Sequence, residues 1–220
     1  LGIEMLELKG IHFHPATAQK PILKGVNLLA CSGCPTIIEG PSGSGKTTLI
    51  EIIGGLSKPQ KGLITWDNKT LTQKQRKWIC GVVFQFPERH FLGLTIAQEL
   101  RLGSIRLNTE YQISTLEKVG LSKVDLKTPP ERLSGGEQRR LAIAVQLIKN
   151  PNILLLDEPT AGLDWSVRKE IIQLLAKLSN KQLIIVVTHE PDLFKNSSVI
   201  SYQLKNGELN KISSTQALAS

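Results

Sequence analysis

Cysteine is scarce in this chain of 220 residues, and it comes in an odd number: Cys31, Cys34 and Cys80. Three cysteines argue against a disulfide framework. Cys31-Ser32-Gly33-Cys34 has redox or metal spacing, but it stands alone in a turn with no second ligand pair, and two small turn residues are the simpler reading. Long apolar runs are missing too. The longest candidates, such as Leu183 to Val187, are strand-sized, far short of the ~20 residues of a membrane helix. No signal-peptide pattern is visible, so the default is a soluble compartment or the cytosolic side of a membrane. Leu1 in place of methionine keeps a removed targeting segment open. Sustained heptads are absent, which excludes a long coiled coil. Acidic residues are the minority: 27 Lys and Arg against 19 Asp and Glu give a net charge of +8. That sign invites nucleic acid or anionic lipid. The basic residues are scattered, however, with one short cluster from Lys74 to Lys77 and no interleaved aromatics. A solvated basic surface follows, and no nucleic-acid partner is expected.

What is present is a globular composition, 40% hydrophobic and 21% charged, and enough length for one large domain or a domain with a subdomain. The chain is organised around Gly40-Pro41-Ser42-Gly43-Ser44-Gly45-Lys46-Thr47-Thr48, which satisfies G-x-x-x-x-G-K-[ST] at every fixed position. Ile37-Ile38-Glu39 leads in as a strand end, and Leu49 to Ile53 follows as a helix. In that context the glycines let successive N–H groups curl around phosphate oxygens, and the helix N-terminus adds partial positive charge. Lys46 can reach the β- and γ-phosphates, and the Thr47 hydroxyl can ligate a bridging magnesium ion. A Gly/Ser linker would not sit between an apolar strand and an apolar helix.

Upstream, Ile3 to Leu8 and Ile22 to Leu29 read as strands. Phe13, or secondarily His14, is placed to stack on a nucleobase, with a core-facing Phe13 as the alternative. Downstream, Gly54-Gly55 caps the helix, Gly62 to Trp66 is a short strand, and Gly81 to Phe84 is a buried strand that stops at Gln85-Phe86-Pro87-Glu88. From there to about Thr128 the pattern turns helical, with helices over Ile96 to Leu102 and Tyr111 to Val119. Leu133-Ser134-Gly135-Gly136-Glu137 opens another helix, whose Leu141, Ala144, Val145 and Ile148 share a face. Ser134 and the two glycines present a second phosphate-type helix start. Ile153 to Leu156 is a buried strand ending in Asp157-Glu158, where open α/β sheets bind ligands. Asp157 suits a magnesium shell, and Glu158 can polarise a water attacking the γ-phosphate. Ala161 to Asp164 is a turn, Trp165 to Leu178 an amphipathic helix, and Leu183 to Val187 a buried strand ending in Thr188-His189-Glu190. His189, beside two other ligand-like strand ends, reads as a γ-phosphate contact. Val199 to Leu204 and Glu208 to Ile212 form a hairpin around Asn206-Gly207.

With these residues assembled, the chain resembles the ATP-binding cassette (ABC) ATPases over essentially its whole length. Six motifs occur in the family's order. Gly40 to Thr48 is similar to Walker A, Gln85 to the Q-loop, Leu133 to Glu137 to the signature, Ile153 to Glu158 to Walker B with its glutamate, Ala161 to Asp164 to the D-loop, and His189 to the switch histidine. The resemblance implies a P-loop α/β fold: a mainly parallel sheet, an N-terminal antiparallel β portion (core 1–88 and 152–220) and a helical subdomain (89–151). It implies ATP hydrolysis with Mg²⁺, with Glu158, His189, Gln85 and Lys46 catalytic and Thr47, Gln85 and Asp157 around the metal. It further implies a second cassette, identical or related, set head to tail. Ser134, Gly135, Gly136, Glu137 and Asp164 would then meet the partner's ATP. The segment after Gln85 would touch integral membrane subunits from the cytoplasmic face, or the stromal side in a plastid. Gln85 to Glu88 resembles energy-coupling-factor or cobalt/nickel importers. Phe84 to Arg89 and Gly162 to Trp165 are similar to cyanobacterial and plastid members. That group imports metal ions, vitamins or other small solutes; the alternative is a non-transport cassette, for example in iron–sulfur assembly. Phe13 or His14 stands where the family carries an adenine-stacking tyrosine, and Glu190 where aspartate is commoner.

Overall fold

Short runs of valine, isoleucine and leucine, bounded by glycine and polar turns, set the strands of two sheets. The computed structural model describes residues 4–102, 107–194 and 197–212; Ile3 of the expected first strand and the outer ends of the expected domain ranges lie outside them. An antiparallel sheet is built from β1 (Met5–Phe13), β2 (Leu23–Cys31), β4 (Lys61–Trp66) and the two-residue β5 (Lys69–Thr70), in the order β2-β1-β4-β5. A second sheet has the order β10-β9-β3-β8-β7-β6. It comprises β3 (Thr36–Glu39), β6 (Cys80–Val83), β7 (Ile153–Asp157), β8 (Leu183–Thr188), β9 (Ile200–Lys205) and β10 (Glu208–Ile212). All its neighbours run parallel except the β9–β10 hairpin.

Strand alternation divides the core in two. Leu154, Leu156, Ile184 and Val186 point to one face, and Ile153, Leu155, Leu183, Ile185 and Val187 to the other. All nine are fully buried, as expected for parallel strands covered on both sides, and each large aliphatic contributes about 1.5–3 kcal/mol of burial. The first face is covered by α3 (Ile96–Arg101), α4 (Thr109–Lys118), α5 (Gly135–Leu147) and α6 (Trp165–Leu178). The second packs on α1 (Lys46–Ile53) and the antiparallel sheet. Tyr202 ties the two sheets together: its hydroxyl donates to Leu29 O at 2.9 Å and accepts from Leu29 N at 3.3 Å.

Three local readings change. The first strand does not stop at Leu8 but continues to Phe13, because an irregularity between Leu8 and Ile11, with Gly10 at φ 59°, absorbs the break in alternation. A helix, α2 (Gln73–Ile79), spans the short basic cluster from Lys74 to Lys77; Thr72 and Gln75 form a capping box at its start. Lastly, α5 is buried nearly all round, at Leu141, Ala142, Ile143, Ala144 and Leu147, whereas Val145 of the expected face is only partly buried. This is the pattern of a helix enclosed by neighbours on most sides.

Candidate functional site

Parallel register brings the ends of four strands to one edge of the sheet. Glu39 lies opposite Thr188, Asp157 opposite Val187, and Val83 opposite Leu156. The loop 40–45, Gln85, Glu158 and His189 therefore all leave the sheet at the same end. Gly40 has no room for a side chain, since a Cβ would sit 2.3 Å from Leu204 O, and Gly45 precedes α1 in the left-handed region at φ 101°. Lys46 is buried, and its Nζ donates to Gly40 O at 2.8 Å and Pro41 O at 3.2 Å. The Thr47 hydroxyl donates to Asp157 Oδ2 at 2.6 Å. Ser44 Oγ is buried without a hydrogen-bond partner among the described residues, an orphan that a phosphate oxygen or its counter-ion would satisfy.

Asp157 and Glu158 differ in role because they differ in backbone. Asp157 closes β7, and burial raises its carboxyl above the usual range, while the Thr47 hydrogen bond pulls the other way. A cation beside it would favour the charged form. Glu158 turns into the left-handed region at φ 48°, which costs about 1–3 kcal/mol for a residue with a side chain. Its carboxylate is held at both oxygens: Thr188 Oγ1 donates to Oε2 at 3.0 Å, and His189 Nδ1 lies 2.8 Å from Oε1, with Lys46 Nζ 3.9 Å from the same oxygen. A strained, buried carboxylate gripped at both oxygens is set up to orient a water. Among the described residues no group of three or more His, Cys, Asp or Glu could hold a metal ion. The donor set of Thr47 and Asp157 therefore suits an ion that keeps water and phosphate oxygens, as magnesium does.

The other expected residues sit apart from this cluster. Gln85 follows β6 with its side chain exposed, and no hydrogen bond or ion pair joins it to the cluster among the described residues. Phe13 ends β1, partly buried against the core shared with the antiparallel sheet, and His14 is exposed with Nε2 2.9 Å from Ala18 O. Ser134 caps α5 in a capping box: its hydroxyl donates to Glu137 Oε2 at 2.7 Å, and that pair holds the Glu137 carboxyl below its usual range. Gly136 has a packing reason as well, because a Cβ there would lie 2.4 Å from Val167 Cγ1. Asp164 starts α6, exposed and without a side-chain capping bond.

Sequence reasoning missed the supports. In the sequence Thr188 carries no signal beyond its place before His189. Arg168 donates to Leu163 O at 2.6 Å and to both Glu190 oxygens at 3.0 and 3.2 Å, tying the Ala161–Asp164 turn to the segment after His189. Arg168 falls near the start of the amphipathic helix α6, but nothing in the sequence names Glu190 as its partner. Past the end of β6, a groove of about 360 Å³ is lined by Val83, Phe84, Pro87, Phe91 and Val145. Leu92 and Leu94, 80% and 77% exposed, project next to it. The buried Glu99 fixes their loop by accepting from Leu92 N at 2.8 Å and Gly93 N at 2.7 Å.

A glycine loop that delivers a lysine and a threonine to two strand-end carboxylates defines a P-loop nucleoside triphosphatase. Comparison with known proteins narrows the class. The family model described as "ABC transporter" matches residues 23–161; the chain belongs to that family, as an ATP-binding and ATP-hydrolysing cassette. It is 36% identical over 204 residues to the chloroplastic ABC transporter I family member 11 of Arabidopsis thaliana, covering 84% of this chain and 72% of that one. It is 35% identical over 200 residues to the energy-coupling factor transporter ATP-binding protein EcfA2 of Acetivibrio thermocellus, covering 86% and 71%. Among solved structures, cbiO1 from Clostridium perfringens, part of the ABC transporter complex cbiONQ, superposes with a TM-score of 0.83 at 29% identity, over 93% of this chain and 86% of that one.

Proposed function

We propose that this cassette is one of a head-to-tail pair that energises a membrane importer of a metal ion, vitamin or other small solute, attached peripherally at the cytoplasmic face. The observation that carries the two-cassette reading is that no hydrogen bond or ion pair joins its half-sites among the described residues. Glu158 is held at both oxygens by groups of its own chain, while Ser134 opens a different helix and makes no hydrogen bond or ion pair to that cluster among the described residues. A second copy, or a related cassette, completes the pocket.

In this reading the loop from Gly40 to Thr48 and the Lys46 ammonium cradle the phosphates, and Phe13 lies toward the base. Thr47 and Asp157, with Gln85, are the residues that would hold magnesium, which when bound offsets the charge of the β- and γ-phosphates. Glu158 accepts the proton of the attacking water, His189 and Thr188 keep its carboxylate aimed, and His189 contacts the γ-phosphate. Ser134, Gly135, Gly136, Glu137 and Asp164 face the partner's ATP, and the Ser134 hydroxyl exchanges Glu137 for a phosphate oxygen as the pair closes. The groove beside Phe84, with Leu92 and Leu94 at its edge, receives the membrane subunits. The likeness to transporter ATP-binding subunits supports this assignment.

The test uses Glu158→Gln. With ATP this variant binds nucleotide, hydrolyses it only at a slow residual rate and runs as a dimer by light scattering, whereas with ADP it runs as a monomer. A monomer in saturating ATP would end the two-cassette reading.

A further inference from the structure

Arg139 is only 1% exposed, and none of the roles above uses it. It lies on α5, one turn beyond Ser134. Its Nη1 donates to Glu158 O at 3.0 Å and its Nη2 to Ala161 O at 3.2 Å. Ala161 N also donates to Glu158 O at 3.1 Å, so one guanidinium closes the turn in which Glu158 holds its positive φ. Nη2 also lies 3.8 Å from Glu88 Oε2. Glu88 adjoins Pro87, which lines the groove.

We propose that Arg139 is a positioning residue for hydrolysis: it fixes the backbone of Glu158 from the signature helix and, through Glu88, links that backbone to the groove. Three features argue for this over plain helix packing. A buried guanidinium is a poor stabiliser, since apolar side chains of similar volume generally serve stability as well. Here the cost is visible, because Arg139 Nε and Glu88 Oε2 both lack hydrogen-bond partners among the described residues, and burial pulls the guanidinium's pKa down while Glu88 opposes it. Both short bonds go to the two carbonyls that define the Glu158 turn, each from a different nitrogen of one planar fork, a fixed two-point grip that a single-atom ammonium does not reproduce. Finally, the three segments that meet at Arg139 are the signature helix, the turn after β7 and the run after Gln85. A shift of either outer segment changes how the Glu158 carbonyl is held.

The inference rests on Glu158 being the group that orients water, and its test separates the two ideas. Single-turnover rates and ATP affinities are measured for Arg139→Met, Arg139→Lys, Glu88→Gln, Glu158→Gln and the double variant of Arg139→Met with Glu158→Gln. Arg139→Met and Arg139→Lys are expected to lower the rate at least about tenfold, because small misplacements of a reacting group are costly, with ATP Kd unchanged within about twofold. Glu88→Gln gives a smaller loss of the same kind. In the Glu158→Gln background, Arg139→Met costs nothing further, because it acts through the group already removed. Rates near wild type in Arg139→Lys and Arg139→Met, or a further loss in the double variant, overturn the proposal. Full turnover in Glu158→Gln instead overturns the reading of Glu158. Should Arg139→Met fail to fold, Arg139→Lys and Glu88→Gln decide by the same split between rate and affinity.

Discussion

Lys46 shows how much a single charge commits a loop. It is buried, its short bonds go to two backbone carbonyls, and its nearest carboxylate is Glu158 at 3.9 Å. Such an ammonium is held for an anion, so Lys46→Ala should weaken ATP binding by about tenfold to a hundredfold, from the ~1.5–3 kcal/mol of a charged hydrogen bond. Titration with a fluorescent ATP analogue reads this directly, and unchanged affinity removes Lys46 from the site. Glu137 carries a pH signature. Its folded pKa is lowered, first by the Ser134 side-chain bond and then by the Ser134 backbone bond. Its stabilisation is therefore complete above the ordinary carboxylate range and lost as pH falls through the lowered value. Glu137→Ala should cost about 0.3–1 kcal/mol at neutral pH, the usual worth of a carboxylate in the first turn of a helix, and the gap to wild type should close in acid, as read by denaturation at several pH values. Lys46, Thr47, Asp157 and Glu158 were legible in the sequence because each chemistry requires its residue type at a strand or helix end. Arg139 was not. Its partners are backbone carbonyls and a carboxylate 51 positions upstream, and no pattern of residue types encodes a carbonyl.

At the scale of elements, α5 is positioned by what its glycines omit. Gly136 faces Val167 of α6, and the 2.4 Å approach of a Cβ to Val167 Cγ1 means an alanine must push the Val167 side chain aside. Two effects compete in Gly136→Ala. Helix propensity favours alanine by up to about 1 kcal/mol, whereas overpacking costs about 1–3 kcal/mol. The contact is with the branched side chain of Val167, which in a helix strongly prefers one χ1 rotamer and yields poorly, so the clash wins and the melting temperature falls. Adding Val167→Ala should relieve the clash and recover most of the loss; a single variant as stable as wild type would show that the helices slide freely. The strands β3, β7 and β8 were readable because parallel strands buried on both faces are continuous apolar runs. The helix α2 was not, since Gln73-Lys74-Gln75-Arg76-Lys77 carries no apolar stripe. It is held by Arg76, whose Nε donates to Ile52 O at 3.0 Å, and by the Thr72 capping box.

For the whole molecule the question is where force leaves the cassette. Among the described residues no helix is long and apolar enough to cross a membrane, and the proposed coupling to membrane subunits needs a surface. Most large hydrophobics are buried, yet Leu92 and Leu94 stand 80% and 77% exposed, on a loop pinned by buried Glu99 and beside a groove floored by β6 and α5. The buried Glu99 carboxylate pre-organises the loop that carries two exposed leucines, and such pre-organisation lowers the cost of docking. Replacing both by serine should leave stability within about 0.5 kcal/mol, as for surface positions generally, and leave ATP hydrolysis by the free cassette intact. In a pull-down from detergent-solubilised membranes, the wild-type chain should bring down integral membrane subunits and the double variant should not. Retention of those subunits by the variant would move the docking surface elsewhere. Ribosomal or scaffold proteins in the wild-type eluate, in place of membrane subunits, would transfer the cassette to the non-transport branch of its family, with the same hydrolytic site turned to other work.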